Sequence, residues 1–329
     1  MKFTKPKVLL PPKWKDLPFY RKALDILESV ADIEYISKEK FDEQLAEAEG
    51  MVGYRVGEEI LQKAPKLKVV ARHGVGYDDC DVDALTRHKV YLVYTPDVLS
   101  DAVADMTIAL ILACNRKIVQ ADRYVREGWA KGTTGYPDYG VDLKGKTVGI
   151  IGLGRIGYQV AKRCAKGFDM KVIYHDIRRN EKAEKELGAE RKSLEEVLRE
   201  SDFVSIHLPL TPQTRGFIKE KHLRMMKKTA YLINTARGAI IDQKALTKVL
   251  MENAIAGAGL DVFEKEPVPL DEALLKLKNV VLTPHIASLT KEARGAMALC
   301  NAESIAAVLK GKIPPPNVVP EQEGLIFKK

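Results

Sequence analysis

What this sequence lacks narrows it first. Cysteine is scarce: Cys80, Cys114, Cys164 and Cys300 stand far apart, with no CxxC pair and no Cys/His cluster. Neither a disulfide framework nor a zinc site is suggested, and the four read as buried thiols. Long apolar runs are missing too. The opening MKFTKPKVLLPPKWKD has only Val8, Leu9 and Leu10 in a row before two prolines, too little for a signal-peptide core or a membrane span. The expectation is a cytoplasmic protein with no membrane partner. Charge runs of one sign are also absent. There are 53 basic and 45 acidic residues, a net charge of +8, yet lysines alternate with glutamates in KEKFDEQ and RRNEKAEKE. That is the pattern of a solvated mixed face, and no nucleic-acid partner is expected. The excess positive charge suits small anionic substrates and cofactors. No repeat occurs at solenoid periods.

What is present is material for two cores. A chain of 329 residues, 46% of them hydrophobic, exceeds one ordinary domain. From Lys146 onward, β-rich runs (KTVGII, KVIYH, FVSIHL, AYLIN, AGAGL, NVVLT) alternate with amphipathic segments. This is the signature of a doubly wound parallel sheet. A smaller alternation fills the first 95 residues, with KVLL, IEYI, MVGYR, KVVAR and VYLVY as strands and Tyr20, Leu24, Leu27 and Val30 on one helical face. Between the two lies a segment from Asp101 to Lys117 that is apolar almost all round, which predicts a helix buried between domains or subunits. The segment from Ile156 to Lys166 predicts a helix capped by Gly167. Ser193 with Glu196 predicts a capping box. The last helix, from Thr290 to Lys310, must stop at GKIPPPNVVP.

The strongest local motif is Gly152-Leu-Gly154-Arg-Ile-Gly157. It follows the strand KTVGII, opens a helix, and leads nineteen residues later to Asp176 at the end of KVIYH. A dinucleotide fingerprint needs that context: one glycine for the tight turn, one for backbone approach to the pyrophosphate, and one for close helix–strand packing. Asp176 should bond the ribose hydroxyls and repel a 2′-phosphate, favouring NAD. Arg178 and Arg179 leave NADP possible at lower affinity. The stretch from Gly140 to Thr147 matches the phosphate-loop pattern GxxxxGK[ST] but runs into a strand, so it reads as a turn.

Six histidines compete for the role of proton donor. Ligands of doubly wound sheets bind beyond the carboxyl ends of strands, and only His285, in LTPHIAS, sits just past a strand without another task. His88 and His222 lie among basic residues on segments expected to be exposed. His175 is on the adenosine side, and His207, just before Leu208-Pro209, reads as a cofactor-wall or structural residue. The same rule collects Arg237 in NTARG, and Asp261 and Glu266 in DVFEKEP. An acid, a base and a carboxylate-binding fork thus converge. Alone, each would be a surface charge.

These residues resemble the D-isomer-specific 2-hydroxyacid dehydrogenases. The likeness covers nearly the whole chain, in family order: ARHGVGYDD, TPDVLSDAVAD, GLGRIG, HLPLTPQT, NTARG, LDVFEKEP and TPHIAS. The TPDVLSDAVAD run is most similar to the glyoxylate and hydroxypyruvate reductase branch. The resemblance implies a Rossmann NAD-binding domain over 101–287. It also implies a smaller flavodoxin-like substrate domain over 1–100 and 288–329, with a cleft that closes on substrate, and a homodimer. By resemblance, Arg237 would hold the substrate, His285 would donate the proton, and Glu266 would pair with His285. Asp261 would help seat the nicotinamide. Arg155, Ile156, His207, Pro209, Thr214, Thr235 and Ala236 join the glycines and Asp176 in the cofactor-binding set. Val75 and Gly76 would hold the substrate carboxylate through their backbone, with Arg55 at the cleft edge. Asp105 stands where many relatives have Glu. The partner so implied is a small anionic 2-keto or 2-hydroxy acid. The alternatives are a 3-phosphoglycerate dehydrogenase and a non-enzymatic, NAD-sensing corepressor-like binding protein.

Overall fold

The computed structural model describes residues 5–53, 55–132, 135–136, 138–313 and 315–327. The chain divides into two compact units, 1–99 with 289–329, and 100–288. The first holds five parallel strands, β1 (Lys7–Leu10), β2 (Asp32–Tyr35), β3 (Ala48–Val52), β4 (Val69–Ala71) and β5 (Tyr91–Val93), in the order β2-β1-β3-β4-β5. The second holds seven: β6 (Thr147–Ile151), β7 (Lys171–His175), β8 (Glu190–Arg191), β9 (Phe203–Ile206), β10 (Tyr231–Asn234), β11 (Gly257–Leu260) and β12 (Val280–Leu282). Their order is β12-β11-β10-β9-β6-β7-β8, parallel throughout. The two-residue β8 is the one strand of this sheet that the hydrophobic pattern does not announce.

Both sheets are covered on both faces, which is why their strands are nearly continuous apolar runs. Successive side chains point to opposite faces. Thus Val8 and Leu10 join one cluster with Leu24, Leu27 and Ile305, while Leu9 joins another with Leu45 and Leu85. In the larger unit Val148, Ile150, Val172 and Ile233 enter one cluster, and Ile151, Ile173, Val204 and Leu232 the other.

Three expectations are corrected. The fingerprint helix runs from Arg155 through Gly167 to Phe168, and its left-handed cap is Asp169 (φ 52°), because a short polar side chain also tolerates that conformation. The apolar helix stops two residues short of Lys117: it spans Ser100–Asn115 and packs on the larger unit's sheet and fingerprint helix through Ala104, Leu110, Ile111 and Cys114. A left-handed residue at Lys117 (φ 54°) then starts a separate helix, Ile118–Glu127. Finally, His222 is buried and caps its own short helix, Nδ1 accepting from the Lys219 N–H at 3.2 Å; burial lowers its pKa. The Ser193/Glu196 capping box forms, and Thr290 caps the last helix, Lys291–Leu309. Gly145 makes a turn (φ 75°) directly before β6. Among the described residues no helix is long and apolar enough to cross a membrane.

Candidate active site

Every candidate of the larger unit lies past the carboxyl end of a strand of one parallel sheet. The fingerprint follows β6, Asp176 follows β7, His207 follows β9, Arg237 follows β10, Asp261 and Glu266 follow β11, and His285 follows β12. The glycines meet the three demands of a dinucleotide loop. Gly152 turns at φ 94°, with the His207 backbone 2.9 Å from where a Cβ would stand. A Cβ on Gly157 would lie 2.2 Å from the Gly152 carbonyl oxygen, whereas one on Gly154 would meet nothing within 4 Å. The packing positions are closed and the approach position is open, as a pyrophosphate over the helix start requires. Arg155 and Ile156 form the first turn of that helix.

Asp176 is fastened to this loop. Its carboxylate accepts from the Leu153 N–H at 2.7 Å and from the Arg178 N–H at 2.9 Å. Asn180 donates to the Leu153 carbonyl at 2.9 Å, and Arg191 donates to the carbonyls of Asp176 and Ile177 at 2.9 and 3.2 Å. Sequence reasoning missed both; the side-chain caps that Asn favours were the available signal for Asn180. Arg179 is drawn away from Asp176 onto Glu184, 2.7 Å. On the other side of the loop, Nε2 of His207 meets Ser205 Oγ at 2.8 Å, and burial pushes its pKa down to about 3. Thr214 donates to the Pro209 carbonyl at 2.6 Å. Thr235 is buried with its hydroxyl on Thr107, 2.9 Å, which ties the exit of β10 to the apolar helix. Asp105 and Asp101 both hold Arg163, at 2.7 and 2.8 Å.

The chemical trio is assembled by buried polar groups. Asn234, fully buried, accepts from the Ala236 N–H at 3.0 Å and donates to the Arg237 carbonyl at 2.9 Å, fixing the turn that presents Arg237. At the next residue a Cβ on Gly238 would stand 1.9 Å from the Phe263 carbonyl carbon. Only glycine lets this turn abut the loop that carries Glu266. Glu266 accepts from the Phe263 N–H at 3.0 Å and pairs with His285 Nδ1 at 2.7 Å. Burial alone would raise the Glu266 carboxyl, but the bonds from His285 and Phe263, with Arg237 nearby, outweigh it and hold it below 4.5. Asp261, fully buried, accepts from Thr283 Oγ1 (2.6 Å), Ile286 N–H (2.9 Å) and Ala287 N–H (2.8 Å), and its carbonyl takes the His285 N–H at 2.8 Å. Three of its roughly four carboxylate lone-pair sites are thereby used.

In the smaller unit, Arg55 follows β3 in a left-handed conformation (φ 56°), and Val75 and Gly76 follow the adjacent β4. Among the described residues no group of three or more His, Cys, Asp or Glu is placed to hold a metal.

Comparison with known proteins decides what this edge of the sheet belongs to. The family model for the NAD-binding domain of the D-isomer specific 2-hydroxyacid dehydrogenases matches residues 108–287. The chain belongs to that family. Within it, a glyoxylate reductase of Korarchaeum cryptofilum is 53% identical over 258 residues, covering 78% of this chain and 77% of its own. An NADPH-dependent glyoxylate/hydroxypyruvate reductase from Sinorhizobium meliloti, solved with NADP and malonate, superposes with a TM-score of 0.84 at 30% identity, covering 99% of both chains. A D-lactate dehydrogenase from Aquifex aeolicus, solved with NAD and lactic acid, gives 0.84 at 30% identity, covering 95% of this chain and 98% of its own. As a 2-hydroxyacid dehydrogenase, the protein is an NAD-dependent oxidoreductase of two parallel α/β units.

Proposed function

We propose that this dehydrogenase reduces a small 2-keto acid, glyoxylate or hydroxypyruvate, to its 2-hydroxy acid in the cytoplasm, as a homodimer, with NADH preferred over NADPH. The observation that carries the chemistry is the 2.7 Å pair between His285 Nδ1 and Glu266. With Nδ1 committed to a carboxylate, Nε2 is the nitrogen that faces substrate. Bound dihydronicotinamide supplies the hydride. As the keto carbon accepts it, the oxygen gains negative charge, and protonated His285 passes its Nε2 proton to that oxygen. Glu266, paired with Nδ1, fixes the ring's orientation and which nitrogen meets the substrate. Arg237 grips the substrate carboxylate and polarises the ketone, a Coulomb term of about 4 kcal/mol for charges ~4 Å apart at an effective dielectric of ~20. The smaller unit serves as the substrate domain: the N–H groups of Val75 and Gly76, past β4, hold the substrate carboxylate, and Arg55 follows the adjacent strand β3.

The NADH preference rests on Asp176, a fixed carboxylate beside the fingerprint that repels a 2′-phosphate. Similarity at about half identity to glyoxylate reductases supports the choice of keto acid. The test is a panel of glyoxylate, hydroxypyruvate, pyruvate and 3-phosphohydroxypyruvate with NADH and NADPH, run on wild type and on His285→Gln. Wild type should turn over the first two fastest with NADH. The variant should lose about 100-fold or more in kcat while NADH fluorescence titration gives an unchanged Kd. Near-normal turnover by the variant, or a clear preference for the phosphorylated acid, would overturn this reading. Sedimentation equilibrium tests the dimer.

A further inference from the structure

His73 is a histidine that the chemistry above does not use. Its side chain is 95% withdrawn from solvent, at 5% exposure, against the edges of Trp14 (5.6 Å between ring centroids) and Tyr20 (5.8 Å). Both ring nitrogens are engaged: Nε2 lies 3.3 Å from Tyr20 Oη, and Nδ1 lies 3.2 Å from Asn301 Nδ2. Burial, with Arg294 and Arg72 adding, pushes the pKa of the ring down to about 3. It is therefore neutral in the working range, with one donor and one acceptor nitrogen. Since Asn301 Nδ2 can only donate, Nδ1 accepts and Nε2 carries the hydrogen toward Tyr20. A leucine or phenylalanine would fill this space without the cost of desolvating an imidazole.

The ring's place in the chain explains that cost. His73 immediately precedes Gly74, Val75 and Gly76. The Gly74 N–H turns back to the Arg72 carbonyl at 3.0 Å, and the Gly74 carbonyl accepts from the Thr95 N–H at 3.1 Å. A loop with two glycines in three residues does not hold its own shape. Asn301 lies fully buried in the helix Lys291–Leu309, and Tyr20 lies in the N-terminal segment. Asn301 Oδ1 has no hydrogen-bond partner among the described residues, so what the amide contributes there is its bond to the ring.

We propose that His73 is a positioning residue, a neutral peg that ties the loop 74–76 to the N-terminal segment and to the last helix, so that the Val75 and Gly76 N–H groups are set for the substrate carboxylate. This rests on the reading of that loop as the carboxylate site. The decisive variants are His73→Leu and Asn301→Ala, measured for keto-acid KM, kcat, NADH Kd and Tm. In His73→Leu the KM should rise about tenfold, equivalent to ~1.4 kcal/mol, with kcat within about twofold and NADH Kd unchanged. Asn301→Ala removes a buried unsatisfied oxygen along with the bond to the ring and places a strong helix former in the helix. Because it leaves the His73 Nδ1 acceptor unpaired its Tm should fall, while KM rises about threefold with kcat and NADH Kd unchanged, a split that a purely structural role would not produce. Wild-type KM in Asn301→Ala, or in a folded His73→Leu, overturns the peg. Gly76→Pro, which deletes one of the N–H groups, separates the two ideas. A raised KM there with unchanged KM in the other two refutes the peg alone; unchanged KM in all three shows that the loop is not the carboxylate site.

Discussion

At His285 the backbone sits at φ 55°, a left-handed conformation uncommon outside glycine, though histidine adopts it more readily than most residues. Asp261 imposes it, through bonds to the residues on both sides and to the His285 N–H itself. The same bonds aim the ring at Glu266. A carboxyl whose folded pKa lies below its ordinary 4.5 binds protons less readily in the folded state. It therefore adds stability above pH 4.5, and that contribution disappears as pH falls through the lowered value. The Tm lead of wild type over Glu266→Gln should accordingly be widest above pH 4.5 and shrink on acidification. A lead that does not narrow in acid would mean the pair does not form in solution. Both side chains are partly exposed, so the lead should be small.

The tail after the last helix closes the edge of the smaller sheet. Residues 317–327 run along β5: the Tyr94 N–H donates to Asn317 O, the Val319 N–H donates to Leu92 O, and Val318 bridges Val93 antiparallel. Gln322, fully buried, accepts from the Leu92 N–H at 2.8 Å and donates to the Val90 carbonyl at 3.0 Å. Tyr91 closes over Phe327, 4.5 Å between centroids. The tail thus covers an edge strand that would otherwise offer unpaired backbone groups. Gln322→Ala would strand two buried backbone groups, each costing about 1 to 3 kcal/mol. Chemical denaturation should show a loss of roughly 2 to 6 kcal/mol in the smaller unit with NADH affinity unchanged. An unaffected midpoint would show that the tail only rests on the sheet.

For the whole molecule the net charge of +8 is spread thinly, with many of the charges neutralised in lysine–glutamate and arginine–glutamate pairs such as Lys66–Glu47 and Arg224–Glu252. Steering of an anionic substrate should be real but modest. Raising ionic strength from about 0.01 M to about 1 M shortens the screening length roughly tenfold, so kcat/KM for the keto acid should fall, by less than about tenfold. A rate indifferent to salt would place the attraction wholly in short-range contacts.

The sequence by itself determined the two α/β units, the strands of both sheets apart from β8, the dinucleotide loop and the residues at the strand exits. Local periodicity and turn chemistry are written in neighbouring residues, and a parallel sheet puts every strand exit on one edge. Tertiary structure decided the rest. Asn234, Gln322 and His73 carry no local signal, since a buried amide or imidazole is defined by partners far off in sequence: Gln322 by Val90 and Leu92, His73 by Tyr20 and Asn301. His222 was expected at the surface because its neighbours are basic, and was placed inside by the fold of a four-residue helix. The role of Gly238 exists only because the Phe263 backbone lies against it. Periodicity specifies which face of an element is apolar; which polar groups meet behind that face depends on how the elements pack.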